Sequence, residues 1–499
     1  MTEHGARREP NAVEMFDLYI DGGFRPAVGG ARFASQNPFT GQDWASVADG
    51  DSRDIDLAVA AATLALRGEW RTQSGAARAR LMMKLADIVE RDARDLARAE
   101  MHDNGKVRRD AEAQVKMIPV WLRYFAGLAD KIEGQALSDV KPGYFAYTRR
   151  EPIGVVGAIL PWNAPLLLMV YKLAPALAAG CTFVAKPSEF TPASTLAFAC
   201  CVSEAGFPAG VFNVVTSSSR DTGAALAAHR GVARVAFTGS TRTGIAVAKL
   251  AADHVARVSL ELGGKSPQLV FADCDLEAAI NGVVAGVFAA SGQMCHAGSR
   301  VYVERSIYDE FLARLKARVG EIKLGDPEQE ATDMGPISTA AQFERVVELI
   351  EQARGEGADV FVSKAQVPVG GYFISPTIVT GINASFAIAR EEVFGPVVIV
   401  TPFDDDEMAV RMANNSDYGL AAGIWTSDIR RVHLLAASLQ AGNIWVNCYR
   451  VASPAMPFGG SKLSGLGREN GADAMLEYLE TKSVWIELTG NTSDPFRMT

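Results

Sequence analysis

Between Glu151 and Thr238 the chain alternates short apolar runs, GVVGAIL, CTFVAK, GVFNVVT and VARVAFTG, with helical stretches such as PLLLMVYKLAPALAAG. Runs that are apolar at every position suit strands covered on both faces, and helices between them imply parallel pairing through crossovers. The segment predicts a doubly wound βαβ unit. After Gly264 the rhythm resumes in PQLVFA, a helix from Asp275, RVYVER, a helix from Ile307, and then VVIVTPF, GLAAGIWT and AGNIWVNCY. A second α/β unit is expected to follow the first. A length of 499 residues has room for both, since domains usually run to about 100–150 residues.

Other stretches belong to neither rhythm. From Ile55 to Ala99, and again from Arg109 to Ala129, apolar and charged residues recur at helical spacing, which predicts exposed amphipathic helices. Lys141–Arg150 and Thr481–Leu488 instead alternate polar and apolar residues. Short projecting strands of that kind pair readily with another chain, so these two pieces are expected to form an oligomerisation element. DDDE at Asp404–Glu407 is read as a solvated helix start, where acids suit the dipole.

The charge balance narrows the partners. A formal charge of -9 argues against nucleic acid or an anionic membrane surface, and 48% hydrophobic residues argue against disorder. Pro152–Tyr171 carries no charge, but Pro161, Asn163 and Pro165 interrupt it, so it is read as buried core rather than a membrane span. The opening MTEHGARREPNAVEMF has no apolar stretch, so no secretory signal is read and a cytoplasmic location is expected. The six cysteines form no CxxC pair and the six histidines no HExxH, so neither disulfides nor a metal site is expected.

A nucleotide site would have to do without the usual fingerprint, because no GxGxxG follows a strand. SLELGGKS at Ser259–Ser266 ends like a phosphate loop, yet it starts on Ser259 where glycine is needed and runs into Pro267. The better candidate is VARVAFTG leading through Gly239 and Ser240 into TRTGIAVAKLAADH. There a glycine allows close approach, and the helix N-terminus offers free N–H groups to a pyrophosphate. An ordinary strand-to-helix turn with Ser240 as N-cap is the plain alternative.

Cys295 lies in SGQMCHAGSR, a segment of small residues that predicts an accessible turn. A thiol there can be a nucleophile if its surroundings favour thiolate, whereas Cys181, Cys200 and Cys201 lie in Ala-rich runs and are expected to pack. His296 is not expected to face Cys295, because sequence neighbours in a turn rarely point at each other. Glu261 ends the β-type run VSLELGG, where a doubly wound sheet presents groups to its crevice, so it is either a base or a salt-bridged carboxylate. Asn163 follows GVVGAIL, and its amide either donates to a developing oxyanion or braces its loop.

Taken together in order, PWNAP at Pro161–Pro165, KPSE at Lys186–Glu189, FTGS at Phe237–Ser240, ELGGK at Glu261–Lys265, GQMCHAGSR at Gly292–Arg300, EVFGPV at Glu392–Val397 and PFGGSKLSGLGRE at Pro457–Glu469 resemble the motifs of the aldehyde dehydrogenase superfamily. The resemblance runs from about Tyr19 to Trp485. It implies an α/β fold of two doubly wound parallel-sheet domains. Residues 1–129 and 152–263 would form the Rossmann-type cofactor domain, 264–479 the catalytic domain, and 130–151 with 480–499 the small β oligomerisation element of a homodimer or homotetramer.

It further implies that Cys295 is the nucleophile, Glu261 the general base and Asn163 the side-chain half of an oxyanion hole, with Lys172 and Glu469 assisting proton relay and positioning. NAD would be held by Lys186 and Glu189 at the adenosine ribose, Gly239, Ser240 and Trp162 near the pyrophosphate, Glu392 at the nicotinamide ribose and Phe394 on the nicotinamide. NADP is also compatible with these residues. The product would be a carboxylic acid, since family members that acylate coenzyme A typically lack a Glu matching Glu261.

The aldehyde pocket is expected at Ala164, Tyr171, Ala289, Arg450, Ala452 and Phe458. In members that oxidise small aliphatic aldehydes, aromatic side chains often stand at the positions matching Ala164, Ala289 and Ala452, so a wide pocket for bulky aromatic or semialdehyde-type substrates is expected. Arg450 would either meet a substrate carboxylate or lie on an exposed rim. Two other classes fit the same residues less fully: a thiol esterase without a cofactor, and a catalytically silent structural protein of this fold.

Overall fold

Strand Val155–Ile159 is the pivot of the larger sheet in the computed structural model, which describes residues 13–491 and 494–496. The opening residues 1–12, read above as carrying no secretory signal, lie outside the described residues. From the pivot the chain passes through helix Pro165–Ala179 to Thr182–Lys186 on one side, and then to Phe212–Val214 beyond it. It then returns to the pivot's other side as Val232–Thr238, followed by Arg257–Glu261. All five strands are parallel, and the order reverses at the pivot. Ligands of open parallel sheets bind at such a reversal, outside the carboxyl ends of the strands. The hairpin Leu18–Ile20 and Gly23–Arg25 extends one edge antiparallel, and Gly465–Leu466 extends the other.

Local chemistry accounts for the helix that follows the pivot. Pro165 sits at its first position, where no N–H is needed, and Gly180 ends it at φ 93° in the left-handed region. Every position from Pro165 to Ala179 except Leu168 is buried. The uncharged stretch noted above is therefore a central strand and a core helix. Among the described residues no helix is long and apolar enough to cross a membrane. Helices Ser52–Ala65, Gly75–Arg91, Ala93–Asn104 and Arg108–Ala126 are amphipathic, burying Leu85, Val89, Trp121 and Phe125 in the core and leaving charged faces in water.

The second sheet has the order Asp359–Val362, Thr377–Thr380, Val397–Phe403, Arg300–Glu304, Pro267–Val270, Ala421–Trp425, Asn443–Val446. Its pairings are parallel apart from the first. Asp405 caps the helix Asp406–Asn414 through the Met408 amide, so the DDDE run opens a helix. A third sheet pairs Leu479–Glu487 with Tyr144–Pro152 antiparallel along their whole length, with Ala136–Leu137 on the far side. Among the described residues Leu479–Glu487 has no second partner strand, and Trp485, Ile486 and Leu488 are exposed there.

The cysteines correct one expectation. Cys181 and Cys201 are buried, but Cys200 is exposed. The two neighbours lie on successive positions of helix Ala193–Ala205, and only one of them can face the core. All six cysteines are free.

Candidate active site

The carboxyl ends of the first sheet face the amino ends of the second. Strand Arg257–Glu261 ends on Glu261, and only Leu262–Ser266 separate it from Pro267–Val270 in the other sheet. This crossing is tightly packed: a Cβ on Gly264 would lie 2.5 Å from the Cys295 carbonyl oxygen, and one on Gly263 would lie 2.3 Å from Glu392 Oε2. Side chains at these two positions would collide with the site, which is the physical reason for the glycine pair.

Cys295 follows a short helical turn, Ala289–Gly292, in which Ala290 and Ser291 adopt φ of 50° and 56°. Non-glycine residues are held there only by their surroundings. Ser291 Oγ donates to the Gly335 carbonyl at 2.8 Å, and the Ala290 amide donates to Asp110 Oδ2 at 3.3 Å. The thiol is half-buried. Burial, then the carboxyl groups of Glu261 and Glu392, pushes its pKa up, so the resting group is the protonated thiol.

His296 Nδ1 lies 3.7 Å from Cys295 Sγ, so the two neighbours do face each other, against the expectation from sequence. A tight turn with the His296 carbonyl held by the Tyr449 hydroxyl at 2.9 Å brings them round. Burial, helped by Arg450, lowers the imidazole pKa to about 3. It is uncharged and offers the thiolate no cation, so it is no activating base of the kind a cysteine–histidine dyad needs.

Asn163 projects from the loop after the pivot strand, and its amide nitrogen donates to the carbonyl of Gln293 at 2.9 Å, two residues before Cys295. An amide has two N–H groups, so one donor remains beyond this bond. Asn104 Nδ2 reaches the carbonyls of Trp162 and Asn163, at 3.4 Å each, and fixes the loop from behind.

Glu261 is 4% exposed, and neither of its carboxyl oxygens has a hydrogen-bond partner. The salt-bridged reading is therefore not what the protein adopts. Burial, then Glu469, raises its pKa well above the usual range, with Lys172 opposing. Glycine at 459 is required beside it, because a Cβ there would lie 2.7 Å from Glu261 Oε1. Lys172, fully buried, pairs with Glu469 and donates to Thr238 Oγ1 at 2.7 Å. Glu469 is itself placed by paired backbone bonds with Phe458, at 2.6 and 2.7 Å.

At the sheet reversal, Lys186 ends its strand buried, with Glu189 at 4.0 Å; burial lowers the Lys186 pKa. Gly239 donates its amide to the Glu261 carbonyl at 3.0 Å, and Ser240 caps helix Thr241–Ala252 by accepting from the Thr243 amide at 3.4 Å. The N-cap reading of Ser240 is thus realised, at the helix N-terminus that opens onto the crevice. The rings of Trp162 and Phe394 meet edge to face at 5.2 Å. Glu392 accepts from the Gly264 amide at 2.9 Å, and burial raises its pKa to about 7 against that bond and Lys265.

The expected pocket residues are less uniform. Ala164 is buried at the start of helix Pro165–Ala179, and Tyr171, one turn and more along it, stacks on Trp121 at 5.1 Å. Phe458 lies edge to face with His296 at 6.1 Å. Ala289 is half-buried, whereas Ala452 is exposed. Arg450 is half-buried rather than a free rim residue, with Nη1 donating to the Ala285 carbonyl at 2.9 Å. Sequence reasoning gave no role to Thr238, Gln293 and Gly459, though each lies in a quoted motif, and passed over Asn104; the first two accept bonds from Lys172 and Asn163, Asn104 braces the Asn163 loop, and Gly459 leaves room for Glu261.

The model of the aldehyde dehydrogenase family matches residues 24–484. A (Z)-2-((N-methylformamido)methylene)-5-hydroxybutyrolactone dehydrogenase of Acinetobacter baylyi is 44% identical over 490 residues, covering 97% of this chain and all of its own. Human aldehyde dehydrogenase 1A1 is 41% identical over 485 residues, 96% of this chain and 97% of its own. The NAD+ complex of a Bacillus cereus aldehyde dehydrogenase superposes with a TM-score of 0.93 at 44% identity, covering 95% of this chain and 97% of its own. The chain belongs to the aldehyde dehydrogenase family. It is an enzyme that oxidises aldehydes with NAD(P) as cofactor.

Proposed function

We propose that the enzyme converts a bulky aldehyde to its carboxylic acid through a thioester on Cys295, hydrolysed by water that Glu261 activates. The observation that carries this reading is the unpaired, buried Glu261 carboxyl beside a half-buried Cys295 thiol, with the Asn163 amide held against the same turn. Of the described residues, those within 1–129 and 152–263 make up the cofactor domain, those within 264–479 the catalytic domain, and those within 130–151 and 480–499 the oligomerisation element. The open outer edge of Leu479–Glu487, carrying Trp485 and Ile486, suits pairing in a homodimer or homotetramer. Free cysteines suit a reducing compartment such as the cytoplasm.

The residues present suit a dinucleotide. An exposed Ser240 at a helix N-terminus, Glu189 beside Lys186, and Glu392 seated over Gly263 in a cradle that a Cβ would fill together follow the crevice from end to end. When bound, the nicotinamide accepts a hydride from the substrate carbon. The protein's own groups do the rest. The Cys295 thiol gives its proton to solvent water and Sγ bonds to the carbonyl carbon as the C=O π pair moves to oxygen, where the remaining Asn163 N–H and the Cys295 amide stabilise the oxyanion. Once the hydride has left, the carbon is a thioester. Glu261 takes a proton from water, the water oxygen bonds to the carbon, and the C–S bond breaks to release the carboxylic acid while Glu261 returns the proton to sulfur. Lys172 and Glu469 hold the electrostatics around Glu261.

NAD is expected to exceed NADP in kcat/KM, because the Glu189 carboxylate accepts bonds from a free ribose and repels a 2′-phosphate. Steady-state kinetics with both cofactors check this, and a clear NADP advantage refutes it. Bulky aldehydes are expected to exceed acetaldehyde at limiting substrate, since alanine at 164, 289 and 452 leaves volume unfilled, at roughly 0.8 kcal/mol for each missing methylene. Arg450→Ala is expected to weaken acidic aldehydes selectively, by about 2 kcal/mol or more if the guanidinium is desolvated with its partner. Faster acetaldehyde turnover sinks the wide pocket; equal losses on neutral and acidic aldehydes remove Arg450 from substrate recognition.

A further inference from the structure

Asn470 stands at φ 61°, ψ 176°, in a corner of backbone space essentially reserved for glycine. A glycine there would relieve the strain, so the asparagine side chain supplies something that glycine cannot. Asn470 is 2% exposed, and its Oδ1 accepts from the Trp121 indole Nε1 at 2.7 Å. Burial, then Glu469 and Cys295, push the pKa of the Tyr171 phenol up, with the Asn470 side chain opposing. Trp121 and Tyr171 lie flat on each other, with centroids 5.1 Å apart and planes 11° from parallel. Asn470 thus holds Trp121 by its indole N–H, and Trp121 in turn lies flat on Tyr171.

The placement is doubled along the chain. Tyr171 precedes Lys172 on its helix and Asn470 follows Glu469 on its loop, so the Asn470–Trp121–Tyr171 run of contacts adjoins the Lys172–Glu469 pair on both elements. The Gly471 amide, donating to Pro454 at 2.8 Å, anchors the loop beyond them. Trp121, held by Asn470, covers one face of the Tyr171 ring and restricts its rotation.

We propose that Asn470 and Trp121 are positioning residues that preset Tyr171 as a flat wall of the aldehyde site, and that this wall selects planar aromatic or conjugated aldehydes by stacking. The proposal rests on the reading of Tyr171 as a pocket residue given above and narrows its substrate class. A preordered ring loses little freedom on binding, and offset aromatic contacts add attraction beyond the area they bury.

The test compares benzaldehyde with cyclohexanecarbaldehyde, of similar size but not planar, in the wild-type enzyme and in Asn470→Gly, Trp121→Phe and the double variant. Each single change is expected to raise KM for benzaldehyde about five- to tenfold, with kcat and the NAD dissociation constant nearly unchanged and the cyclohexane substrate little affected. The double variant should lose no more than the worse single one, because both remove the same restraint. Asn470→Gly should not lower Tm as far as Trp121→Phe, since it also relieves backbone strain; this separates the kinetic effect from a loss of fold. Equal KM rises on both aldehydes, or none on either, overturn the proposal. A wild-type enzyme inactive on every aldehyde would instead overturn the function proposed above, a result seen before any variant is made.

Discussion

Cys295→Ala is expected to lower kcat for aldehyde oxidation by about 10⁴-fold or more, the scale on which nucleophile removal acts in other covalent enzymes. In the proposed mechanism the hydride leaves only from a carbon already bonded to sulfur, so no partial route survives the change. The thiol contributes nothing to the sheet reversal where the dinucleotide binds, and Ala fits a half-buried turn, so NAD affinity and Tm should stay close to wild type. Stopped-flow absorbance of the reduced cofactor, together with a binding titration of NAD, checks both halves. Substantial residual turnover would remove Cys295 from the mechanism. Loss of NAD binding would show instead that the turn also shapes the crevice.

Glu261→Gln is expected to leave a first burst of reduced cofactor and then to slow steady turnover by about 10²–10⁴-fold, the usual contribution of a general base. Acylation precedes the step that needs the base, so one equivalent per active site should form before the stall. The pH dependence has a definite sign. Glu261 acts when ionised, and burial with Glu469 nearby raises its pKa, so wild-type deacylation should rise with pH through a range above that of an ordinary carboxylate. That rising limb should vanish in the Gln variant. A variant with no burst but normal thioester hydrolysis would assign Glu261 another role.

Much of the fold could be read from residue patterns, for a physical reason. Strands such as Val155–Ile159 are apolar at every position because helices cover both their faces, and helix ends such as Pro165 and Gly180 carry their own stop and start chemistry. Elements set by local periodicity are legible in one dimension. The nucleophile and base were approachable too, since Cys295 and Glu261 stand next to glycines that packing demands. What could not be read were facts of tertiary approach. Whether His296 turns toward Cys295 depends on the Tyr449 hydroxyl holding its carbonyl, 153 residues away. That Glu261 has no ion-pair partner depends on Lys172 being taken by Glu469. Cys200 and Cys201 carry the same residue type in the same run, and only the direction of the helix face separates them.

The crossing Leu262–Ser266 has a consequence for how this enzyme can vary. The proposed base Glu261 and side-chain oxyanion donor Asn163 belong to one sheet and the proposed nucleophile Cys295 to the other, so neither half alone owns the proposed reaction centre. It exists at a seam. The link across that seam is five residues long, about 17 Å at full stretch, and two of them are glycines pressed against Cys295 and Glu392. A sliding of one half over the other would separate sulfur from carboxyl before the short link could yield. Sequence drift is therefore freest on the outer helices and narrowest along this joint, where a single added methyl group would act as a wedge.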